Sequence, residues 1–455
     1  MTDRHPTLQT EPSDNLNPRT EEEVNGVERG LGMLGTSNRN APANFYVPGA
    51  RDLLPLDVAQ KRWLEKGIQS VFHRWGYHRI ITSTLERLET LIAGGAVDRE
   101  TVIQIPGGEG GTLGLRPELT ASIARAAVAR MGDMYPQRLY YNANVFRRAD
   151  LEHHGRQQEF YQAGIELLGI GGIVADVEAI LLMMDCLKSL GVPNWRIILG
   201  EAGLSQALLA QFPIEFRTQI RHCLAHLDRV TLERLPLAPA QQQLALSLLD
   251  LRGKPTLVLE KLARLELDTA SQATIAHLQT LIELLISANP DADEPILDLS
   301  LIQTFDYYTG IVFEAVGIDE DRTYILGKGG RYDRLLALYH PQGQNFPGVG
   351  FALNIEDLQQ VLQTSPAMPH YTAKPDWLVV AIDPTAVAAA LIHANRLRST
   401  STSVRVEMYL TEDAPKQKLH QQDRDNIRRI ATERGVANIA WVSTQDIDTE
   451  ALTLS

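Results

Sequence analysis

The stretch YNANVFRRADLEHHGRQQEFYQAGIEL, residues 141–167, decides the fold. Both of its ends alternate with the period of half-buried strands. Tyr141, Ala143 and Val145 share one side of the first end, while Tyr161, Ala163, Ile165 and Leu167 form one apolar face of the second. Gln162, Gly164 and Glu166 line the opposite face, with the glycine leaving space between two polar side chains. The connection, Arg147–Glu159, carries Arg147, Arg148 and Arg156. This pattern describes a long strand pair with a charged loop over a polar pocket. An ionised Glu166 flanked by Ile165, Leu167 and Leu168 needs a partner if it is buried. That partner is either an internal cation or a ligand that is cationic or donates hydrogen bonds.

Outward from this pair, apolar residues recur at helical spacing over Val58–Trp75, and Gly76 ends the run. Another amphipathic helix follows Pro117, with Ile123, Ala127 and Val128 on one face. Glu118 and Thr120 stand at its start, where they either satisfy free N–H groups or receive a ligand's ammonium. Helical patterns at Leu204–Phe212, Phe216–Leu227, Ala240–Leu251 and Ala270–Ile286 indicate an inserted helical domain. Strand-like sequence returns at Leu297–Ser300 and Asp306–Ala315, where Tyr307 and Tyr308 would point to opposite faces. Gly327-Lys-Gly-Gly-Arg-Tyr-Asp333 fits a tight strand-to-helix turn, or a cradle in which Lys328 and Arg331 hold an anion. A helix at Ile355–Leu362 and a Pro-containing linker over 364–375 precede a small α/β module. The expected divisions are a disordered tail (1–44), a core in two parts (45–204 and 295–366) around the helical insertion (205–294), and the module (375–455).

Composition bounds the function. The 455 residues are 44% hydrophobic and 22% charged, as in a soluble globular protein of about three domains. A net charge of −13 argues against a protein that coats nucleic acid, since phosphate binding draws its affinity from Lys and Arg. Cys186 and Cys223 are too few for a disulfide framework or a Cys-based zinc site, which fits a reducing, cytoplasmic setting. No apolar run approaches the ~20 residues of a membrane span. The 12 histidines show no metal-ligand spacing, so neither metal nor cofactor is expected.

Taken in order, several segments resemble histidyl-tRNA synthetase, a class II aminoacyl-tRNA synthetase. They are Gly49-Ala-Arg-Asp-Leu-Leu-Pro55, Leu115-Arg-Pro-Glu-Leu-Thr120, Val145-Phe-Arg147 with Gly155-Arg-Gln-Gln-Glu-Phe-Tyr-Gln162, Asp306-Tyr-Tyr-Thr-Gly310, Gly329-Gly-Arg-Tyr-Asp333 and Gly348-Val-Gly-Phe-Ala352. The resemblance implies an α+β fold: a six- or seven-stranded antiparallel sheet flanked by helices, a helical insertion, and dimerisation. It also implies that Glu118, Thr120, Gln162, Glu166, Tyr307, Tyr308 and Tyr332 surround a bound histidine. Carboxylate and hydroxyl groups would hold the ammonium, with Glu166 and a tyrosine hydroxyl bracketing the imidazole nitrogens.

The synthetase's catalytic groups are absent at the matching positions. Gln303 replaces the arginine that faces the amino-acid carboxylate and the ATP α-phosphate, and Asp357 inverts the charge of the arginine facing the triphosphate tail. Ala149 replaces a glutamate and Gln158 a second loop arginine, which leaves Arg147 of the main phosphate-facing arginines. Removing one well-placed electrostatic contact commonly costs ~10²–10³ in rate. A histidine pocket without activating machinery resembles the regulatory subunits of ATP phosphoribosyltransferase. Those synthetase-like proteins join a short-form catalytic subunit in a hetero-octamer, serve the first step of histidine biosynthesis and carry feedback inhibition by histidine. The resemblance therefore implies a non-catalytic chain with L-histidine as effector. Residues 371–455 carry 10 Lys+Arg and 11 Asp+Glu, which disfavours a tRNA partner and fits a vestigial, shortened anticodon-binding domain. The alternatives are a divergent histidine-tRNA ligase and a stand-alone histidine or RNA sensor.

Overall fold

The computed structural model describes residues 49–93, 97–107, 111–132, 134–148, 157–301, 307–319, 322–410 and 417–452. The tail expected over 1–44 lies outside the described residues. At the centre is a nine-stranded sheet. Its order is His78–Arg79, Gln137–Phe146, Glu159–Leu168, Gly348–Asn354, Arg322–Arg331, Ile311–Asp319, Trp195–Glu201, Ile296–Asp298 and Arg252–Gly253. The six strands from Gln137–Phe146 to Trp195–Glu201 pair antiparallel throughout. Parallel pairing enters only where short strands join, at His78–Arg79 and at Ile296–Asp298. The resemblance implies six or seven strands; the additional ones are two or three residues long, too short to leave an alternation in the sequence.

The strand pair forms as its alternation predicts, with Leu139 opposite Glu166 and Tyr141 opposite Gly164. Ile165 and Leu167 turn to the rear of the sheet, into a core with Leu64, Ile68, Met183 and Phe351. Leu139, Tyr141, Val145 and Leu168 turn to the front, against Leu119, Ile123 and three tyrosines. Behind the sheet, Ile173–Leu190 is buried along much of its circumference and stops at Gly191, whose φ of +70° suits a helix C-terminus. Pro55 opens the neighbouring helix Pro55–Arg74, which buries Leu64, Ile68, Val71 and Phe72 at helical spacing. The helices between Ala202 and Ala288 pack into the same rear apolar cluster through leucines such as Leu204, Leu248 and Leu281.

On the front face, Thr120–Arg130 and a three-stranded sheet (Leu85–Arg87, Thr112–Leu115 and Gln104–Pro106) enclose the front core. Arg116 is buried beside them as a fastener, donating to Asn144 O at 3.0 Å and Thr82 O at 2.9 Å. It thereby fixes where Glu118 and Thr120 begin their helix. The C-terminal residues form a separate four-stranded sheet, with Val387–Arg398 and Gln421–Glu433 packed on its two faces. Its last strand, Ile447–Ala451, is exposed and polar and had no apolar signature to find.

Two local expectations are corrected. Gly327–Gly330 lie inside the strand Arg322–Arg331, not in a turn or an anion cradle. Glycine is needed there for close approach: a Cβ on Gly330 would lie 2.6 Å from the Tyr308 ring. Likewise, the strand expected over Asp306–Ala315 begins only at Ile311, so Tyr307 and Tyr308 escape strand alternation and enter the same core. Gly330→Ala should therefore destabilise the fold by about 1–3 kcal/mol through overpacking against Tyr308, read from the urea unfolding midpoint.

Candidate functional site

Glu166 is 1% exposed and belongs to the middle of a central strand. No cation pairs with it among the described residues. Thr120 Oγ1 donates to its Oε1 at 2.7 Å, and the Tyr332 hydroxyl donates to Oε2. The hydroxyls come from the first residue of the front helix and from the residue after the strand Arg322–Arg331, so three separate chain segments converge on one carboxylate. Burial pushes the Glu166 carboxyl up to about 8; the two hydroxyls oppose this and nearby Glu118 adds to it. Of the two sequence readings, the internal salt bridge does not form among the described residues; the two hydroxyls are the partners of the Glu166 carboxyl instead.

Above this carboxylate lies a cavity of about 130 Å³, lined by Glu118, Thr120, Gln162, Tyr307, Tyr308 and Tyr332. With Glu166 behind Thr120 and Tyr332, all seven residues expected around a ligand come together. Glu118 fulfils the reading of a helix-start residue and keeps one oxygen over. Its Oε1 accepts from Ala121 N at 2.8 Å, as a helix-start residue should, while its Oε2 is buried without a partner. Burial raises its carboxyl, opposed by donors at Ala121 and Thr120 and by Arg147. The tyrosine rings form the far wall, Tyr307 with Tyr308 at 4.7 Å and Tyr307 perpendicular to Tyr332 at 5.8 Å. Burial pushes all three phenols upward, so they stay protonated and can donate.

Four further polar side chains line the same cavity: Tyr141, Arg147, Lys328 and Asn354. The alternation that exposed Gln162 and Glu166 also put Tyr141 on the pocket side, yet its apolar neighbours masked it as core. The space that Gly164 was expected to leave open is occupied, since a Cβ there would lie 2.5 Å from the Tyr141 hydroxyl. Arg147 donates from Nε to Pro117 O at 2.9 Å and stacks on Phe160 at 4.9 Å. Lys328 pairs with Glu314 at 2.8 Å. Arg331 turns away from the cavity and pairs with Asp176 at 2.6 Å and Asp333 at 3.1 Å, which braces Tyr332 between them. A larger cavity of about 230 Å³ adjoins Asp176, His277 and Arg331, and contains none of the seven residues expected around a bound histidine.

Of the positions where the catalytic groups of a synthetase would stand, Gln303 and Ala149 lie outside the described residues, as does Asp306. Asp357 is half-buried at the start of the helix Ile355–Val361, where Asn354 Nδ2 donates to it at 3.3 Å. Its carboxyl is raised by burial. The Gln158 carbonyl accepts from Arg147 N–H at 2.9 Å. No group of three His, Cys, Asp or Glu able to hold a metal occurs among the described residues. Nor is any described helix long and apolar enough to cross a membrane.

A family model described as histidyl-tRNA synthetase matches residues 49–358. A protein of Trichormus variabilis named ATP phosphoribosyltransferase regulatory subunit is 56% identical over 396 residues, covering 87% of this chain and 95% of the relative. A Nostoc protein of the same name is 54% identical with the same coverage. Among solved structures, one from Bacillus halodurans C described as an ATP phosphoribosyltransferase regulatory subunit/histidyl-tRNA synthetase matches with a TM-score of 0.68 and 28% identity. It covers 82% of this chain and 95% of that one. Apo S. aureus histidyl-tRNA synthetase, at 21% identity and a TM-score of 0.63, covers 90% of this chain and 95% of its own and shares the fold.

The raised Glu166 carboxyl makes stability depend on pH. The folded state holds a proton that the unfolded chain releases near 4.5, so this group weakens folding as pH rises from about 4.5 to about 8. One proton corresponds to a slope of about 1.4 kcal/mol per pH unit. Glu166→Gln, which mimics the protonated form, should flatten the stability–pH curve in that window by about one proton's slope, measured by urea unfolding across a pH series.

Proposed function

The chain belongs to the histidyl-tRNA synthetase family and, within it, to the ATP phosphoribosyltransferase regulatory subunits; from that premise we propose that its cavity is an effector site for L-histidine. On this reading the chain is a non-catalytic partner of a short-form ATP phosphoribosyltransferase catalytic subunit, working in the cytoplasm at the first step of histidine biosynthesis. It assembles as dimers within a hetero-octamer, and histidine bound to it inhibits the enzyme.

One observation carries the reading: a pocket walled by the buried Glu118 carboxyl, with Glu166 behind Thr120 and Tyr332, persists where, of the cations of adenylation chemistry, Arg147 alone remains. Glu118, with an unpartnered buried oxygen, and Thr120 suit an ammonium. Glu166, poised to lose a proton near pH 8, suits an imidazole N–H flanked by tyrosine hydroxyls. Phosphoryl chemistry on ATP, by contrast, rests almost wholly on positioning and positive charge. Asp357 places negative charge where the triphosphate tail would lie, and Gln303 and Gln158 place neutral amides where arginines would act. Inhibition is then a coupling free energy of about 1–3 kcal/mol between this pocket and a catalytic centre on the partner. Histidine must bind the inhibited assembly more tightly than the active one.

Glu166→Ala should weaken histidine inhibition at least about tenfold while leaving assembly intact. An activity assay of the co-expressed subunits with and without histidine, together with native mass measurement, checks this. Unchanged inhibition would move the effector elsewhere. The competing reading, a divergent ligase, predicts histidine-dependent ATP–pyrophosphate exchange; the purified chain should stay at background.

A further inference from the structure

A bound amino acid brings a carboxylate as well as an ammonium, and the pocket needs a cation for it. Gln303 stands where a synthetase would supply that cation, and it is neutral. Two positive side chains line the cavity, Arg147 and Lys328. Arg147 lies on the acidic side: its Nε is committed to Pro117 O, its plane rests on Phe160, and its charge is set against Glu118.

Lys328 stands differently. Cross-strand pairing aligns Glu314, Lys328, Ala352, Gly164 and Tyr141 in one row across the sheet floor. Between Lys328 and the tyrosine there is thus only an alanine methyl and a glycine. Adjacent strands are about 4.8 Å apart, so Lys328 stands at the edge of the pocket floor and lines the cavity, with its ammonium drawn to the Glu314 side of the row. Glu314, buried on the next strand, accepts one bond from the ammonium at 2.8 Å. An ammonium has three N–H donors, so one carboxylate does not exhaust it. Glu166 lies in the adjacent row, opposite Gly350 and Gly330, which sets the acidic floor and the lysine side by side.

Resting on the proposed histidine reading, we infer that Lys328, oriented by Glu314, holds the α-carboxylate of the bound amino acid and makes the pocket specific for zwitterionic ligands over decarboxylated amines. Lys328 is the specificity-determining residue and Glu314 its positioning residue. The lysine comes from the strand Arg322–Arg331.

The test is calorimetric titration of L-histidine and of histamine, its decarboxylated analogue, into the full chain and into its complex with the catalytic subunit. Lys328→Gln keeps a donor for Glu314 but removes the charge; it should weaken histidine about 10- to 100-fold while leaving histamine within about threefold. Lys328→Arg should recover most of the histidine affinity. If Lys328→Gln does not fold, the arginine variant still decides: it should keep the wild-type preference for histidine over histamine, and loss of that preference with histamine affinity retained would overturn the role. Unchanged histidine binding in Lys328→Gln, or equal losses for both ligands, would also overturn it while leaving the histidine site in place. Failure of the wild-type complex to bind histidine at all would overturn the site and the lysine's role together.

Discussion

The Glu166 carboxylate, buried and held by two hydroxyls, is the constraint around which the front of this molecule is arranged. An acid in that position must be protonated or fully hydrogen-bonded, because taking its charge out of water costs several kcal/mol. Thr120 and Tyr332 meet that demand from two other chain segments. Each is held in turn: Thr120 by the helix that starts beside Arg116, and Tyr332 between Arg331, which pairs with Asp176, and Asp333, which pairs with Arg331. Gly350 lies beneath the carboxylate because a side chain there would strike it. The shape of the cavity thus follows from satisfying one acid.

Its charge balance follows from the same acid. The buried Glu118 carboxyl, with Glu166 behind Thr120 and Tyr332, faces a cavity whose positive groups are already engaged, Arg147 with backbone and aromatic surface and Lys328 with Glu314. Such a site has more to gain from a ligand bearing an ammonium and N–H donors than from a nucleotide bearing several negative charges. Asp357 extends that preference to the region where a triphosphate would need to lie. On the proposed function, recognition is kept while group transfer loses its electrostatic support, which is the condition a sensing subunit requires.

Much of the site was legible in particular residues. Gln162 and Glu166 could be placed on one face because strand alternation has a period of two, and Glu118 and Thr120 because proline and helix periodicity marked the start of Thr120–Arg130. The tyrosines were harder. Tyr307 and Tyr308 reach the same core only because the backbone there is irregular, and a rule for strands sends them apart. The glycines of 327–330 looked like a turn, since sequence carries no record of the Tyr308 ring that excludes side chains from Gly330. Tyr141 was hidden by being aromatic on an apolar face, where core and pocket wall look alike.

By itself the sequence determined what local rules can settle: the period of the strand pair, the helices with their breaks, the order of the motifs, and the loss of positive charge at Gln303 and Asp357. Tertiary structure alone decided which groups meet. It set Thr120 and Tyr332 on Glu166, left one oxygen of Glu118 unpartnered, and turned Arg331 to the rear while Lys328 stayed at the edge of the pocket floor. Those outcomes depend on cross-strand register and on the burial that follows from it. Both arise from contacts between residues far apart in the chain, such as Glu166 and Tyr332, 166 positions apart, and no local pattern encodes them.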